Sequence, residues 1–228
     1  MPIDRAMVFA AGFGTRMKPL TDTMPKPLIE VAGRPLINHA LGLLDGVSVV
    51  VVNTHYRADQ LEAHLEARGV ICIREEPEVL ETGGGLKNAL PVLGDDPVLT
   101  LNSDVIFAGG NPVAALQAAW DPEQMDALLM LIPVENTVGY SGVGDFFLND
   151  GHIVRRGNHD AAPYVYGSVQ ILKTELLAEV SDAAFSLNVI WDQMIEKGRA
   201  FGLPYDGRWV DVGRPEGIAV AEQVLRDV

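Results

Sequence analysis

Short runs of hydrophobic residues alternate with amphipathic stretches along the first half of the chain. The apolar runs are nearly continuous, as expected for strands that are buried on both faces of a sheet. They predict strands at 6–10, 47–53, 70–73, 97–101 and 127–132. The stretches between them carry apolar residues at helical spacing and predict helices at 35–44, 57–68, 83–91 and 112–120. This alternation indicates a doubly wound α/β sheet with right-handed crossovers.

The pattern changes to closely spaced strands and turns at residues 143–172. Asn149-Asp150-Gly151 lies between two apolar runs, 146–148 and 153–154, which predicts a β-hairpin. The chain then predicts a helix at 188–197, a short strand at 209–212 and a last helix from about Pro215. We therefore expect a single domain, residues 1–228, with a Rossmann-like mixed sheet. A strand-rich insert, roughly 140–172, should form a small subregion at one end of this sheet.

Composition favours a soluble globular protein, with 48% hydrophobic and 21% charged residues. No apolar run approaches the roughly 20 residues that cross a bilayer, and the N-terminus lacks the pattern of a signal peptide. The single cysteine, Cys72, has no partner for an internal disulfide. We expect a cytoplasmic protein without a membrane partner. The net charge of −14 argues against nucleic acid as a partner, because duplex binding depends on many cations that neutralise phosphates.

One glycine-rich stretch, residues 10–28 (AAGFGTRMKPLTDTMPKPL), departs from this acidic balance. Its charged residues are three cations and one carboxylate: Arg16, Lys18, Lys26 and Asp22. The stretch follows the first strand, where ligands bind in α/β sheets. Gly12 and Gly14 would allow backbone N–H groups to approach an anion closely. Arg16 and Lys26 would add charge-assisted hydrogen bonds, so the loop predicts a site for a small polyphosphate.

Three common phosphate-binding motifs do not account for this loop. A dinucleotide fingerprint requires a glycine where the chain has Met17. The chain contains neither a Walker A loop nor a kinase catalytic loop. A dehydrogenase is therefore disfavoured. The G-x-G alone would also suit a tight structural turn, but the added R-M-K-P-L-T and P-K-P-L favour another class of phosphate site.

The same stretch resembles the signature of the sugar-1-phosphate nucleotidyltransferases. Their pattern, A-A-G-x-G-T-R-[ML]-x-P-L-T followed by P-K-P-L, is matched at residues 10–21 and 25–28. The similarity continues at four further segments: 81–85, 101–104, 166–169 and 209–213. The E-T-G-G-G sequence at 81–85 and the short length most resemble the N-acetylmuramate-1-phosphate uridylyltransferases of bacterial cell-wall recycling.

This resemblance implies a fold, a reaction and a set of site residues. A sugar 1-phosphate would attack the α-phosphorus of a nucleoside triphosphate, and pyrophosphate would leave. Arg16 and Lys26 would be catalytic cations that hold the phosphates. Asp104 and Asp211 would hold Mg²⁺, which usually takes one or two protein carboxylates. The implied nucleotide-binding residues are Ala10, Ala11, Gly12, Gly14, Thr15, Glu81, Thr82, Gly83 and Asn102.

The implied sugar site is less complete, although the resemblance assigns it to the strand-rich part of the fold. Its residues are Gly142, Tyr166 and Gly167. An E-K-P sequence that commonly follows the hairpin has no counterpart here, where residues 154–159 are VRRGNH. Arg155 or Arg156 could contact the carboxylate of a lactyl-bearing muramic sugar, or both could lie in a solvated basic turn.

The resulting prediction is an Mg²⁺-dependent enzyme that transfers a nucleotidyl group from UTP to N-acetylmuramate 1-phosphate. Alternatives within the family are dTTP or GTP with a hexose 1-phosphate, and CTP with phosphocholine. A non-catalytic module that binds a nucleotide-sugar is a further alternative. The joint presence of Arg16, Lys26, Asp104 and Asp211 argues against that module. The sequence leaves the oligomeric state open.

Overall fold

Strands and helices alternate through residues 3–95 and 97–227, which are the residues described in the computed structural model. The strands are β1 (Arg5–Phe9), β2 (Glu30–Val31), β3 (Arg34–Pro35), β4 (Val49–Thr54), β5 (Ile71–Arg74), β6 (Val98–Asn102), β7 (Val105–Ala108), β8 (Ala127–Pro133), β9 (Thr137–Val138), β10 (Phe146–Asn149), β11 (His152–Arg155), β12 (Tyr164–Leu172), β13 (Ala200–Pro204) and β14 (Arg208–Asp211). The α-helices are α1 (Leu36–Leu41), α2 (Ala58–Leu65), α3 (Glu81–Leu93), α4 (Pro112–Ala119), α5 (Asn188–Glu196) and α6 (Glu216–Arg226).

Nine of these strands form one mixed sheet in the order β10-β11-β13-β8-β12-β6-β1-β4-β5. Strands β6, β1, β4 and β5 are parallel to their neighbours in this half of the sheet. Strand β12 runs antiparallel to both β6 and β8, between which it lies. The predicted doubly wound mixed α/β sheet is confirmed.

Helices cover both faces of the nine-stranded sheet. In β1, Ala6 and Val8 pack into a core cluster with α1, α2 and α4. The intervening Met7 points to the opposite face and packs with α3 and α5. Because both faces are buried, successive residues of these strands must all be apolar, which explains their continuous hydrophobic runs.

A second sheet has three strands, in the order β7-β14-β9. Asp211 of β14 pairs in register with Val105 at the start of β7. The backbone N–H of Val212 donates to the carbonyl oxygen of Asp104 at 2.9 Å. This pairing places the end of β14 beside the short turn that joins β6 to β7.

The predicted hairpin at Asn149-Asp150-Gly151 is confirmed by the antiparallel pairing of β10 and β11. Asp150 and Gly151 both have positive φ, 49° and 84°, as the tight turn requires. The strand-rich segment continues the main sheet, with β12 at its centre. Strand β13 was not predicted, because Gly202 and Pro204 weaken the strand signal.

Two expectations about the whole chain have different outcomes. In the described part of the chain, no helix combines the length and apolar character needed to cross a membrane. The predicted domain includes residues 1, 2, 96 and 228, which lie outside the described residues. A single domain over 1–228 stays a prediction.

Candidate active site

The glycine-rich loop folds back on itself after β1. Gly14 has a φ of 61°, in the left-handed region that glycine adopts without strain. Its carbonyl oxygen accepts from the Met17 N–H and from the Thr21 hydroxyl, both at 2.9 Å. A Cβ at Gly14 would lie 2.9 Å from Cβ of Lys26 and from Cγ2 of Thr21. Glycine therefore allows the close approach that returns Lys26 to the start of the loop.

A cavity of about 380 Å³ lies against this loop at the carboxyl ends of β1 and β6. It brings together most of the residues that sequence reasoning assigned to the nucleotide, the catalytic cations and one metal carboxylate: Ala10, Ala11, Gly12, Gly14, Thr15, Arg16, Lys26, Glu81, Thr82, Asn102 and Asp104. The spacing of these residues along the chain is large, so the fold, and not local sequence, creates the cavity.

Gly83 is the predicted nucleotide residue that does not line this cavity. Its backbone N–H donates to the carbonyl oxygen of Phe185 at 2.8 Å. A Cβ at Gly83 would come within 2.4 Å of the Phe185 ring. Gly83 thus supports the cavity wall from behind, where Leu187 N–H also donates to the Thr82 hydroxyl at 3.0 Å.

Two buried polar residues that sequence reasoning missed connect the walls of the cavity. Asn53, at the end of β4, accepts from the Ala10 N–H at 2.7 Å and donates to Glu75 Oε1 at 2.7 Å. The other oxygen of Glu75 accepts from the Leu80 N–H at 2.8 Å. Glu75 is only 1% exposed. These bonds fix the segment after β1 relative to the segment that precedes α3.

Opposite charges meet where Arg16, Lys26 and Asp104 line the first cavity. Lys26 Nζ lies 2.5 Å from Asp104 Oδ2, and both side chains are mostly buried. Burial raises the pKa of the Asp211 carboxyl, and the neighbouring Asp104 carboxylate raises it further. Lys26 and Arg16 lower the pKa of Asp211. The two aspartates and the two cations therefore share one electrostatic site, although they come from three distant parts of the chain.

The donor set of this site fits Mg²⁺. Two neighbouring carboxylates, Asp104 and Asp211, repel each other, so a divalent cation would stabilise the pair. Mg²⁺ commonly takes one or two carboxylates and completes its octahedron with phosphate oxygens and water. Among residues 3–95 and 97–227, no group of three or more His, Cys, Asp or Glu side chains could hold a metal. The remaining ligands would have to come from the substrate and solvent.

A second cavity of about 470 Å³ adjoins the first and shares Phe9, Thr82 and Asn102 with it. Tyr166 lines it, as predicted for the sugar site, and packs edge-on against Trp191 at 4.7 Å between ring centroids. The other lining residues include Asp145, Phe146, Arg155, Arg156, Gln170, Ser186 and Asn188. The structure therefore places both arginines at a cavity and not in a fully solvated turn.

Hydrogen bonds that link α5, β12 and β6 form the base of this second cavity. Trp191 Nε1 donates to Gln170 Oε1 at 2.8 Å, and Gln170 Nε2 donates to Thr100 Oγ1 at 3.0 Å. Burial raises the pKa of the Tyr166 phenol, which stays protonated at neutral pH. The cavity thus has a fixed, uncharged base beneath charged rim residues.

The other two predicted sugar residues lie outside this second cavity. Gly167 belongs to a bulge of β12, where its carbonyl oxygen accepts from Trp209 Nε1 at 3.2 Å. A Cβ there would lie 2.8 Å from Cδ1 of Ile132, so Gly167 serves the packing of the bulge. Gly142 lines a different hollow of about 270 Å³, beside Arg16 and Asp211. The structure does not bring Gly142 together with Tyr166.

Sequence reasoning did not assign Asp145 and Trp191 to the second cavity. Trp191 is 6% exposed and resembles an ordinary core residue of α5 in its sequence pattern. Asp145 precedes β10, and its Oδ2 accepts from the Tyr166 N–H at 3.0 Å. Neither residue carries a local sequence signal that separates it from other buried or turn residues.

Comparison with known proteins shows sequence similarity to nucleotidyltransferases along most of the chain. The sequence model of the MobA-like NTP transferase domain matches residues 6–139. A protein of Caulobacter vibrioides named N-acetylmuramate alpha-1-phosphate uridylyltransferase is 44% identical, over 97% of each chain. A protein of the same name from Neisseria meningitidis serogroup B is 38% identical, over 92% of this chain and 93% of the relative.

A solved structure shows the same fold at much lower sequence identity. It is the structure of a UDP-glucose pyrophosphorylase complexed with UDP-glucose, which is 19% identical. The superposition has a TM-score of 0.76 and covers 99% of each chain.

Proposed function

The chain belongs to the MobA-like NTP transferase family of nucleotidyltransferases, and from this premise we propose that it transfers a uridylyl group from UTP to N-acetylmuramate 1-phosphate. An oxygen of the sugar phosphate attacks the α-phosphorus of UTP. The bond from that phosphorus to the oxygen bridging the α- and β-phosphates breaks, and pyrophosphate leaves. The products are UDP-N-acetylmuramate and pyrophosphate.

The observation that carries this proposal is the pair of adjoining cavities. One has the backbone-rich walls and cations that suit a nucleoside triphosphate, and the other has the size and polar rim that suit a hexose. Asn102 lines both cavities and lies two residues before Asp104. A sugar 1-phosphate in the second cavity would therefore present its phosphate toward the α-phosphate in the first.

Within the first cavity, the uracil would lie between the segment after β1 and the start of α3. Ala10, Ala11 and Gly12 have little or no side chain, so the base can approach their backbone groups. Uracil presents an N–H between two carbonyls, an edge that backbone donors and acceptors can match. Two relatives named as uridylyltransferases support the choice of UTP.

In the proposed mechanism, Arg16 and Lys26 reduce the repulsion between two polyanionic substrates. Nucleotidyl transfer depends mainly on positioning and electrostatic stabilisation. Asp104 and Asp211 would hold Mg²⁺, which when bound supplies positive charge to the reacting phosphates. The attacking phosphate oxygen is already anionic near neutral pH. The chain therefore needs no nucleophile of its own and no general base at the attacking oxygen.

The proposed acceptor also suggests a cellular role. N-acetylmuramate is a sugar of peptidoglycan, so we place the reaction in the recycling of cell-wall sugars. Such a role would require the enzyme to act in the cytoplasm, where UTP is available.

A direct test is pyrophosphate release with Mg²⁺ over a grid of nucleoside triphosphates and acceptors. The triphosphates are UTP, dTTP, GTP and CTP. The acceptors are N-acetylmuramate 1-phosphate, other hexose 1-phosphates and phosphocholine. We expect release to be fastest with UTP and N-acetylmuramate 1-phosphate. Faster release with a different pair would correct the substrates, and binding of nucleotide without any release would show a non-catalytic module.

A further inference from the structure

Two adjacent arginines line the second cavity, but their charges face different surroundings. Arg155 Nε donates to Asp192 Oδ1 at 2.8 Å, and NH2 of the same guanidinium lies 2.7 Å from that oxygen. The guanidinium also lies over the rings of Phe146 and Trp191, at 5.2 and 5.5 Å from their centroids. The charge of Arg155 is therefore compensated, and its side chain connects β11 to α5.

Arg156 has no such carboxylate partner among residues 3–95 and 97–227. Its Nε donates to the Gly144 carbonyl oxygen at 3.1 Å, and its NH1 donates to the His159 carbonyl oxygen at 2.8 Å. Within the described part of the chain it forms no ion pair with any Asp or Glu. A guanidinium has five N–H donors, so three remain for a ligand. Two loop carbonyls thus hold a half-buried guanidinium at the cavity rim, outside any ion pair of the described residues.

We propose that Arg156 forms a carboxylate-binding subsite for the acceptor sugar. This inference rests on the proposed function, since N-acetylmuramate carries a lactyl ether whose carboxylate is absent from other hexosamines. A fixed guanidinium binds a carboxylate through parallel N–H donors, with geometric specificity as well as charge. The carboxylate would then lie at the Arg156 end of the cavity, and the sugar phosphate at the Asn102 end.

Two features of the cavities argue for a carboxylate and against the reacting phosphates as the anion. Arg16 and Lys26, the cations near the reacting phosphates, line the first cavity, whereas Arg156 lines only the second. Asp145 also lines the second cavity and lies across from Arg156, whose backbone N–H donates to the Asp145 carbonyl oxygen at 2.8 Å. Its negative charge would repel a dianionic phosphate more strongly than a single carboxylate. A single anionic group at Arg156, with neutral hydroxyl or amide groups near Asp145, matches this arrangement of charge.

The test compares two acceptors in three variants. N-acetylglucosamine 1-phosphate has the same ring as N-acetylmuramate 1-phosphate but lacks the lactyl ether. We expect Arg156→Gln to lower kcat/KM for the muramate acceptor about 10- to 100-fold, mainly through KM, the effect typical of a lost charged hydrogen bond. With the glucosamine acceptor the same variant should change kcat/KM much less. Arg156→Lys should recover part of the difference, because it keeps the charge.

Arg155→Gln is the matched control. It removes the neighbouring arginine at the same cavity, whose charge is already compensated by Asp192. Any loss in this variant should be similar for both acceptors. A selective loss for the muramate acceptor in Arg155→Gln, together with an equal loss for both acceptors in Arg156→Gln, would overturn the proposal.

A change on the ligand keeps the test decisive even where Arg156→Gln fails to fold. The methyl ester of the lactyl group removes the negative charge of the muramate acceptor. Wild-type enzyme should have a kcat/KM about 10- to 100-fold higher for the free acid than for the ester. Arg156→Lys should retain part of that preference. An ester that is used as well as the acid would overturn the inference. If wild-type enzyme used neither muramate acceptor but did use another sugar 1-phosphate, the proposed substrate would fail first.

Discussion

At the scale of single residues, the surroundings of Asp211 on balance disfavour the ionised form of its carboxyl group. Asp211 is raised in pKa by burial first and then by the Asp104 carboxylate, while Lys26 and Arg16 oppose the shift. A carboxyl whose pKa is higher in the folded protein than in the unfolded chain destabilises the fold once it is ionised. Ionised Asp211 therefore destabilises the metal-free protein, which is consistent with its proposed role in holding Mg²⁺.

This reasoning predicts opposite effects of Asp211→Asn on stability and activity. At pH 7 in EDTA the neutral amide should remove the cost of the buried charge and raise Tm, by about 2–4 °C for each kcal/mol relieved. With Mg²⁺ and substrates, kcat should fall by more than about 100-fold, since a metal ligand is lost. Differential scanning fluorimetry and pyrophosphate release measure the two effects.

Asp59→Asn is a suitable control for Asp211→Asn, because Asp59 is an exposed partner of Arg74. Its loss should change Tm little, as is usual for surface ion pairs, and should leave turnover unaltered. A lower Tm for Asp211→Asn in EDTA would contradict our argument and show that Lys26 and Arg16 outweigh burial.

The charged residues of the first cavity could be predicted from sequence, because each lies in or beside a short segment with a recognisable pattern. Arg16 and Lys26 lie in one loop, and Asp104 follows a clear strand. Asn53 and Glu75 could not be recognised in this way, since each is an ordinary polar residue at a strand end. Their importance appears only when β4 lies beside β1 and β5 lies beside β4.

At the scale of secondary-structure elements, Asn53 and Glu75 connect β1, β4, β5 and the start of α3. Glu75 accepts from the Asn53 side chain through one oxygen and from the Leu80 N–H through the other. Two loop segments that line the first cavity are thereby fixed through one buried carboxylate. The α3 side of this cavity includes Glu81, whose φ of 58° lies in the left-handed region.

We expect Glu75→Gln to loosen this connection. A glutamine has one acceptor oxygen where the carboxylate has two, so either Asn53 or the Leu80 N–H loses its partner. A buried unsatisfied donor costs about 1–3 kcal/mol, which urea denaturation would measure. KM for the nucleoside triphosphate should rise more than kcat falls, because Lys26 and Asp104, the proposed contacts of the reacting phosphates and of Mg²⁺, are unchanged.

The adjacent Glu76 is exposed and provides the matched control. Glu76→Gln should leave both the free energy of unfolding and KM close to the wild-type values. If Glu75→Gln instead lowered kcat and left KM unchanged, the Asn53–Glu75 connection would affect the chemical step and not nucleotide binding in the first cavity.

Elements with long apolar runs were predicted well, as were the β10–β11 hairpin and β14, but several other short or interrupted strands were not. β4 and β8 are buried on both faces, so their sequences are continuous hydrophobic runs. β7, β9 and β13 are short or contain Gly and Pro, and their pairing depends on distant strands. The bulge of β12 at Gly167 and Ser168, where Ser168 has a φ of 65°, also depends on tertiary contacts.

At the scale of the whole molecule, the sheet brings two different halves together. The parallel strands β6, β1, β4 and β5 carry the first cavity, and the antiparallel region around β12 carries the second cavity. Asn102 Nδ2 of β6 donates to Ser168 Oγ of the β12 bulge at 3.2 Å, across the boundary. The alternation of apolar runs and amphipathic stretches predicted a doubly wound sheet. The same pattern could not predict the strand pairing that brings the two cavities together, because that pairing depends on strand order.

Adjoining cavities on one sheet predict that a linked ligand binds better than its separate parts. UDP-N-acetylmuramate would occupy both cavities at once, so its second half binds with the effective concentration of an intramolecular partner. At equal concentrations, it should raise Tm more than UMP and N-acetylmuramate 1-phosphate added together. At saturation each tenfold gain in affinity adds about 1.4 kcal/mol, and 1 kcal/mol corresponds to about 2–4 °C.

Thermal shifts with UMP alone, the sugar phosphate alone, both together and the linked product would measure this gain. UMP alone should produce a shift, because the first cavity is formed by the parallel half of the sheet and the Asn53–Glu75 connection and does not need an occupied second cavity. A linked product that raised Tm no more than UMP would mean that only the first cavity is occupied. The second cavity would then have no part in sugar binding, and the structural basis for the proposed acceptor would be lost.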